Sequence, residues 1–352
     1  MARQNNNKSN QLKKLKLIQS NLSCSQNKLS LFLDYYEISE DIAIILGQVL
    51  QYNEKISKLE MSFRSSYIGH LPFNKLISSL ANFTNLKSMT LDLYNNQILA
   101  EGAYQLSLVI ENFKIIETLN IDLRRNNIGD SGLFKLASSL QNCKNLSTLI
   151  FGLKSNNIQG KSIIKSFSAL AQIATLKTLT LDLSKNNINA SCAIDICSEL
   201  VKNKTVQNLE IDFSENCIGN LGLFGMSQHL LNSTQIQSLV LKLSNIKITD
   251  EGLQCLANPL FQGKNNRKLA LDIQKNQVSQ QSVSDLISCI GKTQIEDFKF
   301  NFDEMQRKLD QSCLGFDKSQ FANLISLDIR FGNLIFQVQM VNYKQKNGSI
   351  VS

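Results

Sequence analysis

An apolar residue, most often leucine, returns every 30 residues along this 352-residue chain. The series runs Leu29, Leu59, Met89, Leu119, Leu149, Leu179, Leu209, Leu239 and Leu269, then shortens to 29 residues for Phe298 and Leu327. A fixed period between about 20 and 50 residues marks a stack of similar units, each burying its apolar face only against its neighbours. A continuous period leaves no room for separate domains joined by a linker. Only two prolines, Pro72 and Pro259, interrupt the backbone chemistry, and the 43% hydrophobic content suffices for a packed core.

One unit shows what each period builds. In residues 177–206, Leu179, Leu181 and Leu183 alternate with Thr180, Asp182 and Ser184, the two-residue period of a half-buried strand. After Asn186 and Ile188 the spacing changes to threes and fours through Ala193, Ile196, Cys197 and Leu200, one face of a helix. Val206 then leads to the next strand. Other copies repeat the slots, with Gly102, Gly132, Gly222 and Gly252 near the helix start, where the backbone turns tightly or packs closely.

The motif LxLxxNxI followed by a helix resembles the leucine-rich repeat. The helical half "IGDSGLFKLASSL" at 128–140 is similar to the ribonuclease-inhibitor-like subtype. An extra Lx pair ahead of the motif resembles the expanded repeats of unicellular eukaryotes. The resemblance covers roughly residues 27–335 and implies an α/β solenoid, a horseshoe of about ten repeats with parallel strands on the concave side and helices on the convex side. Geometry points the same way, because strands stack about 4.8 Å apart while helices need roughly 8–10 Å.

The domain organisation expected is a flexible basic Asn/Gln-rich arm at 1–26, a single solenoid at 27–347 with a C-terminal capping hairpin, and a tail at 348–352. The pattern drifts toward the end: Ile246 takes an asparagine slot, with Asn245 one place early, and Asn266 takes an apolar one. The stretch "SLDIRFGNLIFQVQMV" at 326–341 sets Gly-Asn between two alternating segments and predicts the hairpin. An uncovered outer strand there would be an edge on which another chain could pair.

Two polar columns stand out. Asn96, Asn126, Asn156, Asn186, Asn216 and Asn276 share one slot after the strand. In leucine-rich repeats such asparagines form an internal ladder that satisfies turn backbone, so the resemblance implies a structural role. Asp92, Asp122, Asp182, Asp212 and Asp272 share an outward strand slot, with Tyr94, Arg124 and Lys154 beside them. Like charges about 5 Å apart repel by roughly 0.8 kcal/mol in water, and the column is broken by Gly152 and Lys242. It reads either as a solvated repeat consensus or as an acidic stripe, with Tyr94 as an aromatic anchor, for a basic segment of a protein partner.

The net charge of +8 sits mostly at the ends. Arg3, Lys8, Lys13, Lys14 and Lys16 lie in the arm, and Lys344 and Lys346 in the tail, leaving about one net positive charge for the repeats. That excludes nucleic-acid binding through the repeat body, while the arm could tether an acidic surface. No secretory signal or membrane span is read, and eight cysteines without regular pairing fit a reducing compartment, so a cytoplasmic location is expected. Only His70 and His229 occur, Cys192 and Cys197 lack zinc-site spacing, and no phosphate-binding glycine loop appears. The expectation is a chain without enzymatic activity, cofactor or metal, acting as a protein-binding scaffold, with a permanent cytoskeletal or ciliary subunit as one form of it. The subtype resemblance implies an alternative, regulation of a small GTPase, to which Arg64, Arg124 or Arg125 could contribute.

Overall fold

The computed structural model describes residues 22–25, 27–53, 55–160, 163–256, 259–260, 267–302, 323–331 and 334–339. The arm through residue 21, the tail at 348–352, Asn266 and the Gly-Asn turn of the expected hairpin lie outside the described residues. The chain divides into two compact units, Met1–Asn187 with Lys202–Thr205, and Ile188–Val201 with Val206–Ser352.

In unit 1 the strands β1 (Leu22–Ser25), β2 (Lys28–Phe32), β3 (Lys58–Ser62), β4 (Ser88–Asp92), β5 (Thr118–Asp122), β6 (Thr148–Gly152) and β7 (Thr178–Asp182) neighbour one another in chain order. From β2 onward they pair in parallel, and each residue faces the one 30 positions on, as Leu119 faces Leu149 and Asp122 faces Gly152. The alternation explains the pairing. Met89, Leu91, Leu119 and Ile121 point inward and are at most 1% exposed, while the intervening residues stay half-exposed. A slip of one residue would put every leucine in water. Leu22–Ser25, which the sequence reading places in the arm, instead pairs antiparallel with β2, Leu22 facing Leu31. A four-residue strand suffices to cover the edge of the first parallel strand.

Helices α1 (Glu40–Gln51), α2 (His70–Ile77), α3 (Leu99–Ile110), α4 (Gly129–Leu140) and α5 (Ile163–Ala171) follow strands of unit 1. Their inward stripes are apolar, such as Leu133, Leu136, Ala137 and Leu140 on α4. Each leucine so buried contributes about 1.5–3 kcal/mol against exposure. Gly132 is small because of packing: a Cβ there would lie 3.0 Å from that of Ala103 on α3.

Unit 2 contains α6 (Ala190–Leu200), β8 (Asn208–Asp212), α7 (Gly219–Leu231), β9 (Ser238–Lys242), α8 (Asp250–Gln254), β10 (Lys268–Asp272), α9 (Gln280–Gly291), β11 (Asp297–Phe302), β12 (Ser326–Phe331) and β13 (Leu334–Gln339). Strands β8 to β12 are parallel, with the offset falling to 29 residues where Leu269 faces Phe298 and Phe298 faces Leu327. The two segments of the expected hairpin, β12 and β13, pair antiparallel, Ser326 facing Gln339. Phe298, Phe300 and Phe302 fill the inward slots of β11, with neighbouring ring centroids 5.7 and 5.2 Å apart.

Both units repeat one turn, which follows each of the strands β2 to β10. Tyr35, Ser65, Asn95, Arg125, Ser155, Lys185, Glu215, Asn245 and Lys275 recur 30 residues apart with φ between 49° and 64°. Most non-glycine residues avoid that region. Its recurrence shows that the turn geometry is imposed by neighbouring repeats rather than chosen by the local residue.

Candidate functional site

The asparagines occupy the inside of these turns. Asn126 is 1% exposed; its Oδ1 accepts from the Asn96 and Ile98 N–H groups at 2.9 and 3.1 Å, and its Nδ2 donates to the Leu93 carbonyl at 2.7 Å. Asn96, Asn156 and Asn186 make equivalent bonds in unit 1, each reaching one repeat back. In unit 2, Asn216 accepts from Ile188 and Asn276 from Ile246 and Ile248. One rung escaped the sequence reading: Ser66, fully buried, donates its hydroxyl to the Leu33 carbonyl at 2.6 Å, where an asparagine would use Nδ2. Asn203, which opens a glycosylation sequon, is 3% exposed and donates to the Ala171 and Ile173 carbonyls.

The outward aspartates do local work at the strand ends. Oδ1 of Asp92, Asp122, Asp182, Asp212 and Asp272 accepts from the N–H two residues on, at 2.9–3.1 Å. This side-chain turn gives the backbone a partner as the chain leaves the sheet. The period-two pattern placed these carboxylates outward; the i to i+2 spacing to the turn was the signal for their capping role.

Around Tyr94 the unit 1 column gathers into a cluster. The Arg64 guanidinium lies 4.5 Å from the Tyr94 ring centroid, Arg124 5.6 Å and Arg125 5.8 Å. Arg64 donates to Asp92 at 3.0 Å. Arg124 holds Asp122 through Nε and Nη2, and its Nη1 reaches to 3.9 Å of Asp182. Gly152 makes that reach possible, because a Cβ there would come within 3.0 Å of Asp122 Oδ1 and 3.3 Å of Arg124 Cγ. The break in the column is thus the space through which arginine crosses from one aspartate to the next. Lys154 continues the Tyr94 and Arg124 slot, half-buried, and its carbonyl accepts from Arg125 N–H.

The charges are tuned by this crowding. Burial and the Asp122 carboxylate raise the Asp92 carboxyl above its usual range, against the Tyr94 N–H and Arg64. Burial works against the Arg64 charge, yet its bonds to Asp92 and Tyr35 hold the guanidinium above its usual range. The hydrogen bond to Asp122 does the same for Arg124. Beside the cluster, the outward face forms a hollow of about 310 Å³ lined by Thr90, Asn120, Ile150, Gly152 and Thr180 among others. Ile150 is 38% exposed there. Asp212 and Asp272 belong to unit 2. Asp272 also accepts from Ser244 Oγ at 2.8 Å and Asn301 Nδ2 at 3.0 Å, and Lys242 pairs with Glu210 at 2.6 Å.

Among the described residues no group of three or more histidine, cysteine, aspartate or glutamate side chains could hold a metal ion. Burial pushes the Cys143 thiol up to about 12 and raises Cys197 further, so neither is a thiolate nucleophile at neutral pH. No helix of the described residues is long and apolar enough to cross a membrane.

Comparison with known proteins adds one local match: residues 118–137 fit a family model described as a leucine-rich repeat. No curated protein matches the chain. Among solved structures, the yeast Rad7 and Elc1 complex aligns at 13% identity and a TM-score of 0.38, covering 83% of each chain. A leucine-rich repeat protein of Leptospira interrogans aligns at 17% identity and a TM-score of 0.24, covering 91% of this chain and 94% of that one. The matched segment contains β5, the Asn126 rung and most of α4. With the repeated strand, turn and helix of both units, it makes this a leucine-rich repeat solenoid fold.

Proposed function

We propose that the chain is a non-enzymatic protein-binding scaffold whose recognition centre is the outward sheet face of unit 1 around Tyr94. The observation that carries this reading is three arginines drawn onto one tyrosine beside a hollow with an exposed isoleucine. Arginine and tyrosine are the residues over-represented where binding energy concentrates. Held by strands rather than loops, they lose little freedom on binding.

Asp92, Asp122 and Asp182 take part mainly by fixing the arginines, and the column's attraction for a basic segment is correspondingly reduced. Asp212 and Asp272 offer a separate acidic contribution in unit 2. A role in GTP hydrolysis through Arg64 or Arg124 would require it to swing away from Asp92 or Asp122, while the exposed Arg125 lies over the Tyr94 ring. A single-turnover assay with purified small GTPases should show no acceleration. A cytoplasmic location suits the reading.

Proximity labelling in cells, with wild type and with Ile150→Glu, tests the assignment. The variant places a charge in the hollow without touching the core, and its enriched partners should fall at least tenfold. An unchanged partner set with a normally folded variant would remove the scaffold face from unit 1.

A further inference from the structure

The aspartates draw attention to the sheet, but the adjoining turns carry a cleaner charge pattern. In unit 1, residues 64–67, 94–97, 124–127, 154–157 and 184–187 hold Arg64, Arg124, Arg125, Lys154 and Lys185 and no acid, whereas the first turn, 34–37, holds Asp34 and Glu37. Over the whole row Asp34, Glu37, Asp92, Asp122 and Asp182 balance these five cations, but along the β5 to β7 end four cations face only Asp122 and Asp182, a local excess of two positive charges. The corresponding turns of unit 2, residues 214–217, 244–247 and 274–277, carry Glu215, Lys247 and Lys275 and no aromatic residue.

At the β2 and β3 end of the same row the character changes to aromatic. Tyr35 is 75% exposed, Tyr67 69%, Phe32 50% and Tyr36 45%. With Tyr94, four of the chain's seven tyrosines line this edge. The Tyr35 N–H donates to the Arg64 carbonyl at 2.7 Å, and the Arg64 guanidinium lies over Tyr94, so the aromatic and basic parts are joined. Isolated exposed apolar residues need no explanation, but a contiguous group beside a charged strip marks an interaction surface.

We infer that the turn row of unit 1 docks an extended acidic segment bearing an aromatic or large apolar residue. This deepens the scaffold reading and rests on it. The apolar residue packs among Tyr35, Tyr67 and Phe32, and carboxylates face Arg125 and its basic neighbours. Strand spacing sets the register. Tyr67 and Arg125 lie two strands apart and Tyr67 and Lys185 four, roughly 10 and 19 Å, which an extended chain spans in about three to six residues. The cations supply steering and specificity, and the aromatic end supplies the buried area.

Fluorescence anisotropy on the full chain tests this with three labelled ten-residue probes. One carries phenylalanine at position 2 and glutamates at positions 5 to 8; the second replaces the glutamates by lysines, the third the phenylalanine by alanine. The first should bind most tightly, and its affinity should fall with salt. Arg125→Glu and Tyr67→Ala, both exposed turn positions, should each weaken it about tenfold with an unchanged thermal midpoint. Equal or tighter binding of the lysine probe overturns the acidic partner and leaves the scaffold reading standing. Binding of the glutamate probe that neither variant weakens overturns the location, and no binding of any probe overturns the inference, while the scaffold reading is decided separately by the Ile150→Glu labelling. Concentration-dependent self-association abolished by Arg125→Glu would make a second copy the occupant and overturn it likewise.

Discussion

Unit 1 and unit 2 are built from the same repeat, yet they spend their polar residues differently. In unit 1 the rungs Ser66, Asn96, Asn126, Asn156 and Asn186 follow without interruption, whereas in unit 2 Ile246, fully buried, stands where a carboxamide would be. Unit 1 also joins its outward column through Arg64 and Arg124, while Asp272 in unit 2 is held by neutral Ser244 and Asn301. The difference teaches that the buried side of the repeat is nearly fixed by packing and hydrogen bonding, and that the outward side is free to be specialised. Function is sought where the copies diverge.

The largest effect should come from removing a rung of the uninterrupted ladder. Asn126→Ala strips two N–H groups and a carbonyl of their partner and is expected to cost about 3 kcal/mol, read as a lowered denaturation midpoint. If it melts like wild type, the ladder of unit 1 is ornamental and the contrast with Ile246 means nothing.

Next comes the gap in the column. Gly152→Val should cost about 2 kcal/mol by crowding Asp122 and the Arg124 stem, and should release Arg124 from Asp182. A crystal structure of the variant with Arg124 unmoved would refute the account of the gap.

The aspartates then sharpen the comparison directly. Asp212→Ala removes the turn hydrogen bond from the Ser214 N–H and should cost about 1 kcal/mol. Asp122→Ala should cost more, about 2 kcal/mol, because it also frees Arg124 from a charge-assisted pair. Equal costs in urea unfolding would show that the arginine bridge is worth nothing.

The smallest effect is in pH. Hydrogen bonding to Lys28, with Lys58 assisting, holds the Glu60 carboxyl below its usual range. Its folded value lies below its unfolded one, so its stabilisation is present above the ordinary carboxylate range and lost as pH falls through the folded value. Asp92 works oppositely: its raised carboxyl favours the protonated folded state, so its contribution declines as pH rises through that window. Glu60→Gln should therefore flatten the acid side of the stability profile without changing it near pH 7 to 8 in shape.

Much of the wall was legible because its signals are periodic. Leu179, Leu181 and Leu183 announce a strand, Ala193, Ile196 and Leu200 a helix, and each pattern recurs in eight other copies 30 residues apart. Less legible were the exceptions, which have no period. Ser66 replaces an asparagine only because its hydroxyl happens to reach the Leu33 carbonyl, and Leu22–Ser25 pairs as a strand although nothing in "LSCS" repeats. The Asp column was visible, but its dual role as turn cap and arginine anchor depends on distances within and between strands.

By itself the sequence determined the repeat, its strand and helix, which residues face inward, and where the pattern decays, since burial of apolar surface depends on periodicity alone. Only the tertiary structure decided which outward charges neutralise one another. Arg124 reaches Asp182 across 58 positions of chain because parallel pairing stacks every thirtieth residue, and Gly152 leaves the space between them. Proximity across stacked repeats, rather than neighbourhood along the chain, sets the electrostatics of the face on which a partner would land.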